Sequence, residues 1–361
     1  GFVIGMVQAL GIYLTDDKFR DLFIFGAFLL VLLLRPHGLF GSRHAVVSEP
    51  MTGTFLGAGR PIRIPAWVWV VLAVVAGLVV PWLGGGAVGT QVVLYAIIAV
   101  PMTLLAGSTG QISLGQAAPV AIGAYASALL VMRLDMPFLL ALLSGGVIAA
   151  VLATVVTLPM WKLDGHYVSM ATLALGYIVL TIIRGWEPLT QGALGLSGIP
   201  APEIFGLPLL VSDDHYQLDL VLLGLTLFVV IKLRSSHLGT VLAAVGSDEV
   251  ASRSLGLKTR SYKALAYAIV AFFAGVAGAL TAHQFTYLDP TMFPVQMSVL
   301  ALTIVVLGGI NSPFGAVLGS VALIGLPEAF RIAPDVRIIL YGLVVILIIR
   351  FRPQGLWARR A

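Results

Sequence analysis

The sequence predicts an all-α fold: a polytopic bundle of about ten transmembrane helices preceded by an N-terminal helical hairpin. Hydrophobic residues make up 59% of the 361 residues, charged residues only 10%, and the mean hydropathy is +1.02. A soluble domain typically has about a quarter charged residues. The apolar runs are close to the roughly 20 residues that cross about 30 Å of hydrocarbon, and helices satisfy their own backbone in lipid.

The apolar runs of the chain place the predicted spans in order. They lie near residues 66–82, 90–107, 112–132, 137–158, 166–184, 217–233, 264–283, 294–310, 314–330 and 336–351. An even number of spans returns the chain to the side on which it started. Residues 1–34 form the additional hairpin.

The distribution of charge orients these spans. Basic residues gather on one side, which is therefore predicted to be cytoplasmic. They are Arg43, Arg60, Arg63, Lys162, those of residues 232–263, and Arg350, Arg352, Arg359 and Arg360. The loop 185–218 contains four acidic residues and neither lysine nor arginine. It is therefore predicted to lie on the extracytoplasmic side, where it offers a surface to a partner.

Charge and residue usage also exclude several functions. The net charge of +5 follows membrane topology, so nucleic acid is not predicted as a partner. The chain has no cysteine, its histidines lack metal-ligand spacing, and it has no phosphate loop, so it carries neither a metal centre nor ATP hydrolysis. The ionisable residues considered for the spans lie near span ends (Arg184, Asp289, Glu328 and Arg331), which disfavours a carrier driven by its own ion gradient.

Two of the predicted spans are interrupted. Residues 106–125 and 307–319 combine glycine and proline with apolar residues, and broken helices are tolerated where their backbone faces protein or a water-filled cavity. The glycines also fit close helix packing. The candidate pathway residues are Gln111, Ser113 and Gln116, with Thr172 and Asn311 as neighbours. For Thr172, hydrogen bonding back to its own helix is the competing interpretation.

Residues 232–263 form a long polar loop on the predicted cytoplasmic side. Six basic residues lie in it: Lys232, Arg234, Arg253, Lys258, Arg260 and Lys263. Within it, residues 240–257 suit one or two short helices that lie along the membrane. A channel has no need of such a loop, whereas a permease driven by a separate ATPase does.

Several motifs, in a characteristic order, resemble a known family. They are GQISLGQAAPVAIGA at 110–124, HYVSMATLALG at 166–176, LGLSGIP at 194–200, VGSDEVASRSLGL at 245–257 and GGINSPFG at 308–315. The chain thereby resembles the LivM-like permease subunits of ATP-binding-cassette importers for branched-chain amino acids. The resemblance implies cytoplasmic ATPase subunits that use ATP, a second, LivH-like permease, an extracytoplasmic solute-binding protein and a place in the bacterial inner membrane.

The resemblance also implies roles for residues of the cytoplasmic loop. Residues 247–256 match the coupling helix that docks on the ATPase, which assigns coupling to Ser247, Asp248, Glu249, Arg253 and Gly256. The glycine of the general importer pattern E-A-A-x3-G falls one residue late, at Gly256. The family includes permeases for urea, short amides and other small polar solutes, which stay open as alternatives to branched-chain or other neutral amino acids.

The two ends of the chain resemble each other. Gly1, Val3, Gly5, Val7 and Gly11 match the spacing from Gly315 to Gly325, and RPHGLF at 35–40 matches RPQGLW at 352–357. This repeat predicts that residues 1–43 are the tail of a preceding LivH-like permease, joined through a cytoplasmic linker at 44–65 to a LivM-like permease domain at 66–361. The alternative is an additional helical hairpin without that origin.

Two functions of other classes share this composition. A secondary carrier or facilitator would transport solute without ATPase partners. A purely structural membrane subunit would allow normal uptake after mutation of the interrupted spans.

Overall fold

The computed structural model describes residues 2–14, 17–35, 86–163, 165–204, 207–208, 212–325, 342–343, 345–346, 350 and 355–357. The predicted span at 66–82, the linker at 44–65 and most of the predicted span at 336–351 lie outside the described residues. The described helices are α1 (Phe2–Leu14), α2 (Arg20–Leu34), α3 (Gly86–Met102), α4 (Ala117–Leu134), α5 (Phe138–Thr157), α6 (His166–Gly185), α7 (Glu187–Thr190), α8 (Ser212–Arg234), α9 (His237–Ser247), α10 (Glu249–Ser254), α11 (Thr259–Phe285), α12 (Val295–Gly308) and α13 (Pro313–Ser320).

Seven segments of the described chain are long and apolar enough to cross a membrane. They are Gly86–Ser108, Ala117–Leu134, Phe138–Trp161, His166–Gly185, His215–Arg234, Thr259–Phe285 and Pro290–Gly308. These confirm as helices the seven predicted spans from 90–107 to 294–310. The predicted span at 314–330 begins as the shorter α13 and continues as a π-helical turn at Val321–Gly325.

The fourth helix begins later than predicted. The span was predicted from residue 112, but α4 begins at Ala117 because residues 109–116 are not helical. Gly110 has a φ of +66°, in the left-handed region that favours glycine. Helix α11 begins earlier than the predicted residue 264, since its polar first turn starts at Thr259, before the apolar run.

Helices α4, α5 and α11 form the centre of the bundle, and small residues let them approach closely. A Cβ at Gly123 would collide with the backbone of Gly275, and a Cβ at Gly278 with the backbone of Val120. Helix α11 is central, because 72% of its apolar 18-residue stretch is buried. In the segment that contains α5, 33% of the corresponding stretch is buried. The remaining face of α5 exposes leucines and valines suited to lipid.

The predicted outward loop has short regular elements. After α7, β1 (Leu196–Ser197) pairs antiparallel with β4 (Tyr287–Leu288), and β2 (Glu203–Ile204) pairs with β3 (Leu207–Pro208). The loop is also tied to the end of α11, where buried His283 lies 2.9 Å from the carbonyl oxygen of Pro200 and 3.0 Å from Ser127 Oγ. This histidine therefore joins two helices and the loop, in agreement with a packing role.

The predicted N-terminal hairpin is present as α1 and α2. Helix α2 packs on α6, where the rings of Phe25 and Tyr177 stack with centroids 4.2 Å apart. Lys18 Nζ lies 2.6 Å from Glu187 Oε1 in an exposed ion pair, which contributes little to stability. The aromatic contact and helix packing therefore hold the hairpin against α6.

Candidate translocation and coupling sites

The first interruption links α3 to α4. Helix α3 loosens into a π-helical turn at Thr103–Ser108, and the N–H groups of Thr109 and Gln111 both donate to the carbonyl oxygen of Leu105, each at 3.2 Å. The chain then continues without helix to Gln116. A wide turn followed by an irregular segment frees backbone groups at this point, and such turns are frequent at functional sites.

Side chains of α6 and α12 satisfy those backbone groups. Ser169 donates to the carbonyl oxygen of Ile112 at 2.8 Å, and Leu114 donates its N–H to Thr172 Oγ1 at 3.1 Å. On the other side, the N–H of Ala117 donates to Ser298 Oγ at 2.9 Å. The irregular segment is thus held between two spans by three specific hydrogen bonds.

Thr172 has both of the roles considered for it. Its hydroxyl donates to the carbonyl oxygen of Ser169 at 3.0 Å, which confirms the bond back to its own helix. The same oxygen accepts the N–H of Leu114, and the side chain is fully buried. Thr172 therefore positions the irregular segment and presents no free surface in this conformation.

The three polar candidates on the segment are closed off from solvent. Gln111 is 7% exposed, Ser113 1% and Gln116 0%. The structure brings them together on one segment, but Gln116 has no hydrogen-bond partner for either amide atom, and Gln111 has none for Oε1, among the described residues. A buried polar atom without a partner costs about 1–3 kcal/mol, so a polar group that reached these amide atoms would be stabilised there.

The second interruption touches the first. Gly309 has a φ of +120°, and residues 309–312 separate α12 from α13. Gly107 packs so closely against Ile310 and Asn311 that a Cβ there would collide with both. Asn311 is exposed, and its Oδ1 accepts a long hydrogen bond of 3.5 Å from Arg234. It therefore lies at the rim, next to the end of α8, and not among the buried candidates.

The polar loop after α8 contains the two short helices that the sequence predicted. Asp248 separates α9 from α10 and caps α10, since its side chain accepts the N–H of Ala251 at 2.9 Å. Gly256 closes the loop with a φ of +83°. Two short helices are therefore present where residues 240–257 predicted one or two, although α9 begins earlier than predicted, at His237.

Glu249 is the centre of a charged cluster inside this loop. It pairs with Lys263 and with Arg253, each at 2.5 Å, and accepts a hydrogen bond from Thr259 at 3.0 Å. Burial raises the pKa of Glu249, but the hydrogen bonds from Lys263, Arg253 and Thr259 outweigh it, so the pKa lies below its ordinary value. Glu249 and Arg253 therefore hold the loop onto the first turn of α11.

The exposed surface of this loop is partly apolar, which the sequence analysis did not predict. Val250 is 74% exposed and Leu255 is 83% exposed. Ser247, Asp248 and Ser254 surround them as exposed polar residues. The available signal was the presence of Val250 and Leu255 in the otherwise small or polar stretch 247–256.

Helix α9 rests directly on the first interruption. Gly246 lies so close to the backbone of Ser108 and Thr109 that a Cβ would collide with it. The two candidate sites are therefore in contact: movement of α9 reaches the end of the π-helical turn without passing through another element.

Sequence reasoning also missed a buried acid. Asp219 is fully buried on α8, and its Oδ1 accepts a hydrogen bond of 2.7 Å from Gln284 Nε2 at the end of α11. Buried acids within spans are uncommon and are usually functional. Asp219 therefore adds a buried ionisable residue to the predicted span at 217–233.

Interrupted spans in contact with a long polar loop are typical of a polytopic helical transport protein. The family model described as branched-chain amino acid transport system / permease component matches residues 86–349, and the chain belongs to this family. Its members are transport permeases and not enzymes.

Curated relatives include both permease types of such systems. The chain is 32% identical over 292 residues to the high-affinity branched-chain amino acid transport system permease protein LivM of Escherichia coli K12, covering 74% of this chain and 69% of LivM. It is 29% identical to the corresponding protein BraD of Pseudomonas aeruginosa PAO1, with coverage of 73% and 92%. It is 26% identical to LivH of Escherichia coli K12, with coverage of 73% and 91%. No solved structure matches the chain.

Proposed function

We propose that this chain is a permease subunit of an ATP-binding-cassette importer in the bacterial inner membrane. It forms the translocation pathway for branched-chain or other neutral amino acids that an extracytoplasmic binding protein delivers. The observation that carries the proposal is the contact between α9 and the interrupted span, since Gly246 lies against Ser108. A docking loop in contact with the pathway provides a direct mechanical link to ATPases outside the membrane.

The pathway is assigned to Gln111, Ser113 and Gln116. Neutral amides and hydroxyls make the weak polar contacts that let a solute enter and also leave. Among the described residues, both amide atoms of Gln116 and Oε1 of Gln111 have no hydrogen-bond partner, and a passing ammonium or carboxylate group would provide one. Thr172 positions the segment, and Asn311 lies where solute would reach the cytoplasmic rim.

Coupling is assigned to the surface of α10 and its borders. The ATPase contacts the exposed residues of this surface, which are Ser247, Asp248, Val250 and Leu255. Three further residues fix the shape of that surface. Glu249 and Arg253 form an ion pair with each other, and Gly256 closes the loop with its positive φ. ATP is bound and hydrolysed on the partner subunits.

The N-terminal hairpin is assigned to a second, LivH-like permease. In this arrangement residues 1–43 are the tail of that permease, 44–65 the linker and 66–361 the LivM-like domain. The repeat between the ends of the chain supports the assignment. Coding DNA with an in-frame permease upstream of Gly1 is expected, whereas a start codon at that position would contradict the fusion.

Reconstitution in proteoliposomes tests the transport function. With the second permease, the ATPases, the binding protein and ATP, labelled leucine should accumulate, and omission of either ATP or the binding protein should abolish accumulation. Competition by excess valine and isoleucine but not by urea or acetamide is expected. The reverse competition would assign the chain to small amides.

A secondary carrier is the second candidate, and buried Asp219 favours it. Under that alternative, uptake would continue without the ATPases and would follow a proton gradient. The same proteoliposomes, prepared with and without ATPase subunits, therefore separate the two functions.

A further inference from the structure

The two helices that flank the docking loop are joined at their far ends by one polar pair. Helix α8 enters the loop and α11 leaves it, so Asp219 and Gln284 lie at the ends remote from the loop. Gln284 Nε2 donates to Asp219 Oδ1 at 2.7 Å. Two acceptors of the same pair, Asp219 Oδ2 and Gln284 Oε1, have no partner among the described residues.

An ionised carboxylate is a poor explanation of this arrangement. Asp219 has 0% exposure, and an isolated charge in such surroundings is neutralised or paired. Within the described part of the chain, no lysine, arginine or histidine nitrogen lies within ion-pair distance of its carboxyl. Ionisation would also leave Oδ2 as a negative oxygen without a hydrogen-bond donor among the described residues.

A proton on the carboxyl resolves both unpartnered atoms at once. A carboxylic acid has one donor and one acceptor, and a primary amide has the complementary pair. With Oδ2 protonated, Asp219 can donate to Gln284 Oε1 while Gln284 Nε2 donates to Oδ1. The two side chains then form a closed ring of two hydrogen bonds without net charge.

We propose that Asp219 is a proton-binding site, and that its neutral acid pairs with the Gln284 amide to lock the far ends of α8 and α11 together. The lock makes both helices move as one unit when the docking loop between them moves. It is not a coupling site for an ion gradient, since the proton stays in place during transport. This inference rests on the proposed function only for its effect on uptake.

Exchange of the two groups tests the lock. Asp219→Asn keeps a ring of two hydrogen bonds between amides and removes the cost of keeping a carboxyl protonated at neutral pH, so the purified full chain should unfold at or above the wild-type temperature. Gln284→Glu places two acids together and should lower the unfolding temperature by several degrees. The double variant Asp219→Asn with Gln284→Glu restores an acid and an amide and should recover most of that loss. Gln217→Glu is the matched control, because it adds an acid to an exposed position of α8 close to Asp219.

Infrared spectroscopy of the chain in lipid provides the independent readout. At neutral pH the wild type should show a protonated-carboxyl band that is absent in Asp219→Asn and returns, shifted, in the double variant. Absence of the band in the wild type, or a double variant as unstable as Gln284→Glu, would overturn the proposal. In the reconstituted importer, Asp219→Asn should retain ATP-driven uptake, whereas loss of uptake with normal stability would identify a coupling acid instead. Failure of the wild type to transport leucine would contradict the proposed function and leave the spectroscopic test unaffected.

Discussion

At the scale of single residues, Gln116 shows how function and stability oppose each other. Its amide is fully buried and has no partner among the described residues, and a buried polar group without a partner costs about 1–3 kcal/mol. Opening of the pathway or contact with solute removes that cost. A residue selected for packing alone would be apolar at this position.

The first prediction follows from that opposition. Gln116→Leu should raise the unfolding free energy by about 1–2 kcal/mol, because an apolar side chain of similar size needs no partner. ATP-driven leucine uptake should fall about tenfold, since the pathway loses a polar contact. Chemical unfolding and transport are measured on the same preparation. Gln296→Leu, at an exposed position of α12, is the control and should change neither quantity.

The second prediction concerns Glu249, whose bonds to Lys263 and Arg253 hold its pKa below the ordinary value. A carboxyl with a depressed folded pKa contributes stability above its unfolded pKa of about 4.3, and this stability is lost as pH falls through the folded value. Glu249→Gln should loosen the loop at pH 7, by about 3 kcal/mol, because Lys263 is left buried without its partner. Hydrogen exchange of α10 measures this effect.

Hydrogen exchange at acidic pH provides a second test of the Glu249 cluster. Wild-type exchange in α10 should approach that of the variant as the pH falls below the ordinary glutamate pKa. Equal protection of both proteins at pH 7 would show that the cluster contributes nothing. Charge reversal at Glu249 is therefore a poor probe of docking, since it breaks the loop before it reaches a partner.

At the scale of elements, helix position was predictable and helix ends were not. Apolar runs placed α5 and α6 to within a residue or two, because length and hydropathy determine a span. They did not place the start of α4, since Gln111 to Gln116 is polar enough to leave the helix but apolar enough to stay buried. The inward direction of Glu249 depends on Lys263, fourteen positions later in the chain, and no local pattern contains that contact.

The third prediction belongs to α10 as an element. The exposed apolar side chains of α10 and of Leu255, which follows it, should bind the ATPase, because burial of apolar area drives most protein association. Leu255→Ser and Val250→Asp should each weaken association of the ATPase subunits at least tenfold while leaving the unfolding temperature unchanged. Co-purification from detergent, or a titration with labelled ATPase, measures this.

A control of equal exposure exists on the opposite surface. Leu194 and Leu255 are both 83% exposed, but Leu194 lies in the loop predicted to face outward. Leu194→Ser should leave ATPase association at the wild-type level. If both serine variants lost the ATPase equally, the effect would be one of general apolar exposure and the docking assignment would be wrong.

At the scale of the whole molecule, the interrupted spans, the docking loop and the buried acid form one connected path. Helix α9 touches the first interruption, Gly107 joins it to the second, and α8 and α11 flank the loop. The sequence predicted the polar residues of the interrupted spans and of the docking loop but not their contacts, since these depend on helix packing. Asp219 escaped notice because one carboxyl near the start of a span resembles an interfacial residue.

The fourth prediction tests the orientation of the whole chain. Ser197 and Ser254 are both exposed, one in β1 of the acidic loop and one at the end of α10. Since the chain has no natural cysteine, Ser197→Cys and Ser254→Cys each introduce a single thiol. In intact spheroplasts, a thiol reagent that cannot cross the membrane should label the first variant and spare the second. In inside-out vesicles the result should reverse, because basic loops stay in the cytoplasm. Labelling of Ser254→Cys in spheroplasts would invert the topology and place α10 out of reach of any ATPase, which would end the coupling assignment together with the orientation.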